Sequence, residues 1–211
     1  MKADKILFID TETGGIDPAS HSLLSLALVV WKEMEIVASL EILIDDGRLN
    51  VTERALEINH IDLEEHKRKA VPPATAIKRL DKFLNTHFPK EEKITLGGHN
   101  ITFDVNFLNA FLTRNGYDFG SRFSHRYVDT SSILFYLYLT KKLKRRLTAS
   151  QDAFDYFGIA VAGRHTALGD AIATAQLFTN LVRLRYRASK NKSSSTDNDM
   201  PELFSPQNDK I

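Results

Sequence analysis

The stretch from Ile6 to Gly15 limits the possible folds of this chain more than any other part of its sequence. It reads Ile-Leu-Phe-Ile-Asp-Thr-Glu-Thr-Gly-Gly, an apolar run that leads into two acids and two glycines. The apolar run predicts a strand that is buried on both faces of a sheet, and alternation along that strand places Asp10 and Glu12 on the same side. Two dehydrated carboxylates repel each other, and a divalent cation would compensate them. A strand that simply ends in a polar turn explains the same residues equally well.

The composition restricts where the protein works and which chemistry it uses. The chain has 211 residues, of which 43% are hydrophobic and 26% charged, and this suits one globular domain. Cysteine is absent, which excludes disulfides, thiolate metal sites and cysteine nucleophiles. The longest apolar run, Leu26–Trp31, is too short to cross a bilayer, and the sequence start does not resemble a signal peptide. We therefore expect a cytoplasmic protein without a membrane partner.

The charge balance gives no general attraction to nucleic acid. The formal net charge is +1, so a polyanion would have to bind through local patches or through bound metal ions. One local patch is the run Lys141–Arg146, which contains five basic residues. This run could follow a nucleic-acid backbone, and it could equally be a solvated loop between two helices.

The hydrophobic pattern predicts a single α/β domain with a mixed five-stranded sheet flanked by helices. The first three strands are expected to be antiparallel, because Leu23–Trp31 and Glu35–Ile44 are close enough in sequence to form a hairpin. In the second of these strands, alternate residues from Ile36 to Ile44 are expected on one side. Two short strands then alternate with helices, and the expected segments are 94–96 and 127–128 for the strands and 52–58, 73–88, 101–114, 131–139, 148–157 and 167–187 for the helices.

Two later stretches place further acids beside predicted helix starts. Asp104 lies in the first turn of a helix for which Asn100 is the expected N-cap, and an isolated acid there could merely complement the helix dipole. His165 and Asp170 are separated by about 140° of helical rotation, so they cannot share one helix face. We expect His165 on the loop before the helix, where it is either free to approach a ligand held by Asp170 or simply exposed.

Together these residues resemble the DnaQ-like family of 3′–5′ exonucleases, in its four-acid branch with a histidine, the DEDDh branch. The segment 10–15 resembles the family's Asp-x-Glu-Thr-x-Gly motif, His99-Asn100 with Asp104 resembles the second motif, and His165 with Asp170 resembles the third. The resemblance covers about residues 5–185 and includes the epsilon-type proofreading exonucleases of DNA polymerase III. It implies a ribonuclease H-like fold.

The resemblance also implies a two-metal site. Asp10, Glu12 and Asp170 would hold one divalent ion, Asp10 would bridge to a second ion, and Asp104 would act on the second ion. Oxygen ligands of this kind suit Mg²⁺ or Mn²⁺. His165 would be the general base that deprotonates the attacking water.

Substrate contacts are implied at a further set of positions. The backbone at Thr11 and Thr13 would lie against the terminal nucleotide, and we include Gly14 and Asn100 from the same motifs. The segment Asn59-His60-Ile61 occupies the place where family members often have a His-Gly-Ile-like turn against the last bases, and here His60 replaces the glycine.

The function that these features imply is metal-dependent removal of 5′-mononucleotides from the 3′ end of single-stranded nucleic acid. DNA is the expected substrate, in proofreading or repair, and RNA is the alternative, as in ribonuclease T and oligoribonuclease. Residues 1–188 would form the exonuclease domain and residues 189–211 a polar, flexible tail. A different class of function is a binding subunit that docks to a polymerase or sliding clamp through this tail, because Leu203 and Phe204 resemble the end of clamp-binding peptides.

Overall fold

A five-stranded mixed sheet forms the centre of the computed structural model, which describes residues 5–163 and 166–192. Its strands are β1 (Lys5–Thr13), β2 (Leu23–Lys32), β3 (Glu35–Leu43), β4 (Ile94–Gly98) and β5 (Phe123–Asp129). The helices are α1 (Glu53–Asn59), α2 (Leu63–Lys69), α3 (Pro73–His87), α4 (Thr102–Arg114), α5 (Phe119–Arg122), α6 (Thr130–Leu139), α7 (Ser150–Tyr156) and α8 (Ala167–Lys192). The predicted α/β fold with a mixed five-stranded sheet is therefore confirmed.

The strand order β3-β2-β1-β4-β5 brings three strand ends to one edge of the sheet. β1, β2 and β3 pair antiparallel, as predicted, and β2 and β3 form a hairpin in which Glu33 and Met34 have positive φ angles of 52° and 71°. β4 pairs parallel to β1, and β5 pairs parallel to β4. The carboxyl ends of β1, β4 and β5 therefore meet at the edge where Asp10 and Glu12 lie.

Alternation along β1 divides the core between the two faces of the sheet. Leu7 and Ile9 belong to the larger cluster, which is covered by α3 and α4. Ile6 and Phe8 belong to the opposite cluster, which is covered by α8. Ala171 and Ala175 of α8 are completely buried in this second cluster, so their small side chains let the helix lie close to the sheet. Helix α8 thereby reaches the sheet face that carries Asp10 and Glu12.

One predicted strand face is wrong at its start. Ala38 and Leu40 pack with the α3–α4 side of the core, as expected for alternate residues of β3. Ile36 instead packs with the α8 side. The cause is a register shift in the β2–β3 pairing, where Trp31 pairs with Ile36 while Val30 pairs with Ala38. A bulge adds a residue to one strand and so reverses the alternation beyond it.

Several helix boundaries differ from the pattern-based prediction. Helix α8 continues to Lys192, beyond the predicted end at 187, and residues 193–211, including most of the predicted tail, lie outside the described residues. Helices α2 and α5 were not predicted, because neither carries an apolar stripe. Within residues 5–163 and 166–192, no helix is long and apolar enough to cross a membrane.

Candidate active site

Three carboxylates converge where β1 leaves the sheet. Asp10 and Glu12 extend from β1 towards the face that α8 covers, and Asp170 lies in the first turn of α8. One oxygen from each of these three side chains lies within 4.8 Å of the others, and all three residues are half-buried. Three oxygen ligands at this spacing are a donor set suited to a hard divalent cation such as Mg²⁺ or Mn²⁺.

A fourth carboxylate approaches from the opposite face of the sheet. Asp104 is on α4 and is only 5% exposed. Its Oδ1 atom accepts a 2.7 Å hydrogen bond from Oγ1 of Thr11, the residue between the two acids of β1. Because Thr11 points to the α4 side while its neighbours point to the α8 side, one strand end links both halves of the site.

Crowding of these acids disfavours their ionised forms. Burial raises the pKa of Asp10 well above its usual 3.8, and the charges of Asp104, Glu12 and Asp170 raise it further. Burial likewise raises the pKa of Glu12 from 4.5 to about 8, with Asp170 and Asp104 as the largest charged contributors. A bound divalent cation would remove this repulsion, so the charge distribution fits a metal site as well as the geometry does.

Asp104 experiences two opposing effects. Burial raises the pKa of Asp104 from its usual 3.8 to about 7, although the hydrogen bonds from Thr11 act in the other direction. A charged or polar donor bonded to a carboxylate favours its ionised form. Thr11 therefore both orients Asp104 and preserves part of its acidity.

A fifth acid, which the sequence analysis did not single out, faces the same cluster. Glu41 on β3 is in register with Ala27 of β2, which is in turn in register with Asp10, so Glu41 and Asp10 share one face of the sheet. The Glu41 carboxylate accepts a 2.9 Å hydrogen bond from Ser25, and its charge contributes to the raised pKa values of Asp10 and Glu12. The signal for Glu41 depends on the pairing register, which the sequence pattern does not reveal.

A hollow of about 450 Å³ opens beside Glu12, and we call it the first hollow. Thr11 and Thr13 are among its lining residues, and Ile58 and Phe103 supply apolar surface. Ile58 is 57% exposed although it is aliphatic. Neither Ile58 nor Phe103 was among the expected site residues.

Asn59 joins the wall of this hollow to β1. It is buried, its side-chain amide donates a 3.2 Å hydrogen bond to the Thr13 carbonyl, and its side-chain oxygen accepts from the Ile61 amide.

The next residue, His60, has a φ angle of 56° at the carboxyl end of α1 and lines a second hollow of about 290 Å³ together with Glu12 and Glu41. This left-handed conformation is one that glycine adopts without strain and that a residue with a Cβ atom adopts less readily.

Two of the expected substrate-binding residues occupy places that differ from the expectation. Gly14 is buried and does not line the first hollow, and a Cβ atom on it would lie 2.1 Å from the Asn50 carbonyl oxygen. Asn100 is exposed, has a φ angle of 60°, and donates from its backbone to the Asp129 carboxylate. The prediction that Asn100 caps α4 with its side chain is wrong, because the cap position is Ile101 and no side-chain cap bond is present there.

The expected general base, His165, lies outside the described residues, as does Arg164. The chain on either side of them is closely packed. Thr166 Oγ1 accepts a 3.1 Å hydrogen bond from the Gly169 amide and donates to the Gly163 carbonyl, and a Cβ on Gly169 would lie 2.4 Å from the Gly163 carbonyl oxygen. This packing fixes the start of α8 and hence the position of Asp170.

Comparison with known proteins finds two named nucleases and a DNA polymerase among the relatives of this chain. A family model described as exonuclease, of the RNase T type, matches residues 7–178. The 3′-5′ DNA exonuclease Cap18 of Escherichia coli is 26% identical over 188 residues, which cover 87% of this chain and 96% of that protein. Ribonuclease T of Wigglesworthia glossinidia brevipalpis is 28% identical, with 82% of both chains covered. The PolC-type DNA polymerase III of Pediococcus pentosaceus is 25% identical over 84% of this chain, which spans only 11% of the polymerase.

Solved structures show the same fold at lower sequence identity. Escherichia coli exonuclease I in complex with a dT13 oligonucleotide superposes with a TM-score of 0.75 at 18% identity, over 89% of this chain and 43% of that chain. The nuclease domain of 3′hExo, a DEDDh family member bound to rAMP, gives a TM-score of 0.69 at 16% identity, over 86% of this chain and 93% of that domain.

Proposed function

Because the chain belongs to the RNase T-type exonuclease family, whose model matches residues 7–178, we propose that it is a divalent-metal-dependent 3′–5′ exonuclease. It removes 5′-mononucleotides from the 3′ end of single-stranded nucleic acid. The observation that carries the proposal is the convergence of Asp10, Glu12 and Asp170 within 4.8 Å, next to the buried Asp104. Without a cation, four crowded acids would destabilise the fold. A purely structural role therefore does not explain them.

Mg²⁺ or Mn²⁺ is the proposed cofactor, in two ions. Asp10, Glu12 and Asp170 would hold one ion, Asp10 would contact the second, and Asp104 would act on that second ion. When bound, such a pair stabilises both the attacking and the leaving oxygen of a phosphodiester. The raised pKa of Glu12, about 8, supports the proposal, because a nearby cation stabilises the ionised form of a carboxyl group that burial and other acids disfavour.

The first hollow is the proposed site of the terminal nucleotide. Its polar side, at Thr11 and Thr13, is next to the acids, and its apolar side, at Ile58 and Phe103, suits the face of a base. We keep the proposed role of His165 as general base, on the evidence of its sequence motif. His60 and Asn100 remain proposed substrate contacts, whereas Gly14 acts through its backbone, which bonds to Ser22 and Thr52.

Single-stranded DNA is the proposed substrate, on the strength of the likeness to a relative named a 3′-5′ DNA exonuclease, which is covered almost completely. RNA is the second candidate, because ribonuclease T is 28% identical over a similar share of the chain. Proofreading or repair, action in the cytoplasm, and docking of the tail to a polymerase or clamp stay predictions. Deletion of residues 198–211 with unchanged clamp binding would remove the last of these.

The test is digestion of matched DNA and RNA oligonucleotides that carry a label on the 5′ end. With Mg²⁺ or Mn²⁺ we expect a ladder of products shortened from the 3′ end, faster on DNA, and no ladder in EDTA. Asp10→Ala should abolish the ladder, and Glu91→Gln, a change of an exposed acid, is the matched control. Digestion by Asp10→Ala at the wild-type rate would refute the proposed site, and faster digestion of RNA would replace DNA as the substrate.

A further inference from the structure

Helix α6 presents aromatic and aliphatic side chains to solvent on one side. Tyr136 and Leu139 are each 61% exposed, Phe135 is 42% exposed and Tyr138 is 38% exposed. The helix is anchored by Leu134, which is completely buried against α8. The helix is therefore held in place without these rings, which leaves them available for a ligand.

The basic run that follows α6 is a loop that buried leucines anchor to the core. Leu143 and Leu147 are each 4% exposed and belong to the core between α6, α7 and α8. The cations around them, Lys141, Lys142, Lys144, Arg145 and Arg146, are all exposed. Among the described residues, no ion pair involves any of the five. A loop fixed at two points loses little conformational entropy when its cations bind a charged partner.

Two of the cations lie against aromatic rings. The Arg146 guanidinium lies 4.9 Å from the centre of the Phe135 ring, and that of Arg145 lies 5.9 Å from the centre of the Tyr156 ring. A hollow of about 300 Å³ is lined by Phe135 and Arg146, and one of about 430 Å³ is lined by Tyr138 and Lys144. Aromatic platforms beside cations are the arrangement that binds single-stranded nucleic acid, since every base has a face to stack and every nucleotide a phosphate.

We propose that this aromatic-basic surface, formed by α6, the loop Lys141–Arg146 and Tyr156, binds the single-stranded part of the substrate outside the catalytic site. The inference rests on the proposed function, because it names where the remainder of a strand lies while its 3′ end is cut. It also explains how a chain with a net charge of +1 holds a polyanion.

The position of α6 suits this role. The helix starts directly after β5, at the same sheet edge as the acids, and the Asp129 carboxylate at its start is bonded to the Asn100 backbone just before α4. Ten residues of helix are about 15 Å long, so the surface leads away from the active-site edge over more than one nucleotide. A strand could thus contact both places at once.

Charge favours nucleic acid over a second copy of this chain. A twofold contact through α6 would place the same five cations of both copies near each other. Only two acids, Asp152 and Asp155, fall between residues 140 and 157, and Asp155 is already bonded to Gln151. A polyanion meets no such repulsion.

The experiment measures binding and cleavage separately. Fluorescence anisotropy in EDTA reports the affinity of the full chain for labelled oligo(dT), and hydrolysis of thymidine 5′-monophosphate p-nitrophenyl ester with Mn²⁺ reports the catalytic site alone. Lys142→Gln/Lys144→Gln/Arg145→Gln should bind oligo(dT) about tenfold more weakly and lower the salt slope by about 2, because each phosphate contact contributes about 0.7. Tyr136→Ala should weaken binding about fivefold or more, because one stacked base is lost.

The matched control removes the same number of charges from α3, on the other side of the sheet. Lys78→Gln/Arg79→Gln/Lys82→Gln, all at exposed positions, should leave the affinity within twofold of wild type. Ester hydrolysis should be unchanged in all three variants. If Lys142→Gln/Lys144→Gln/Arg145→Gln binds oligo(dT) as tightly as wild type does, with ester hydrolysis intact, this inference alone is overturned. Loss of ester hydrolysis in the wild type would instead overturn the proposed function, and dimerisation abolished by Tyr136→Ala would assign the surface to a second copy.

Discussion

Replacing Glu12 by glutamine should stabilise the metal-free protein at alkaline pH. The pKa of Glu12 is raised from 4.5 to about 8 in the folded protein, mainly by burial and then by the charges of Asp170 and Asp104. Between these two pH values the folded chain binds more protons than the unfolded chain, so the free energy of unfolding falls as the pH rises. The full shift corresponds to a ceiling of about 5 kcal/mol, and relaxation and water access reduce the expected effect to about 2 kcal/mol.

Thermal unfolding in EDTA is the assay. At about pH 8.5 the melting temperature of Glu12→Gln should exceed that of wild type by about 4–8 °C, since about 1 kcal/mol changes it by roughly 2–4 °C in a chain of this size. At about pH 4 the two should agree closely, because Glu12 is then mostly protonated in both the folded and the unfolded wild type. Saturating Mg²⁺ should stabilise wild type more than the variant, by an amount that grows with metal concentration.

Glu91→Gln serves as the control, because Glu91 is exposed and far from the cluster in sequence. It should unfold like wild type under every condition. A metal-free Glu12→Gln protein that melts below wild type at about pH 8.5 would refute the reasoning, since it would mean that the ionised carboxylate is favourable in the fold without a cation.

Three further substitutions test individual contacts. Thr11→Val keeps the shape but removes the 2.7 Å bond to Asp104, so steady-state kinetics should show kcat lowered by about fivefold and its pH optimum moved upwards. Gly14→Ala places a methyl group 2.1 Å from the Asn50 carbonyl, and denaturant unfolding should show a loss of about 2 kcal/mol or more. Lys141 has a φ angle of 57°, a conformation that glycine adopts with less strain, so Lys141→Gly should raise the melting temperature by a few degrees. The same variant should bind oligo(dT) more weakly. A more stable protein that binds more weakly would show that Lys141 serves binding and not folding.

The sequence was most informative where the chemistry is local. Asp10 and Glu12 are two residues apart on one strand, so strand alternation alone placed them together. Asp170 was recognisable from its spacing to His165, which resembles the third motif of the family. In both cases the relevant neighbours lie within one or two turns or strand repeats, the range over which periodicity holds.

Features that depend on distant pairing could not be predicted. The bond from Thr11 to Asp104 joins residues 93 positions apart, and the place of Glu41 follows from the registers of two strand pairs. Helix α2 begins after the N-cap Asp62, but its sequence has the pattern of a charged segment. His66 within this helix is buried, and its ring lies 3.0 Å from the Ile44 carbonyl oxygen. The burial of His66 depends on a carbonyl 22 positions earlier in the chain, which local patterns do not show.

The most direct test of the central claim is the location of Mn²⁺ in crystals of the full chain grown with a nucleoside 5′-monophosphate. Anomalous scattering from manganese would be measured. We predict a peak between the carboxylate oxygens of Asp10, Glu12 and Asp170, with a second beside Asp10 on the side of Asp104. A nucleotide seated in the first hollow with no manganese peak at these acids would contradict it.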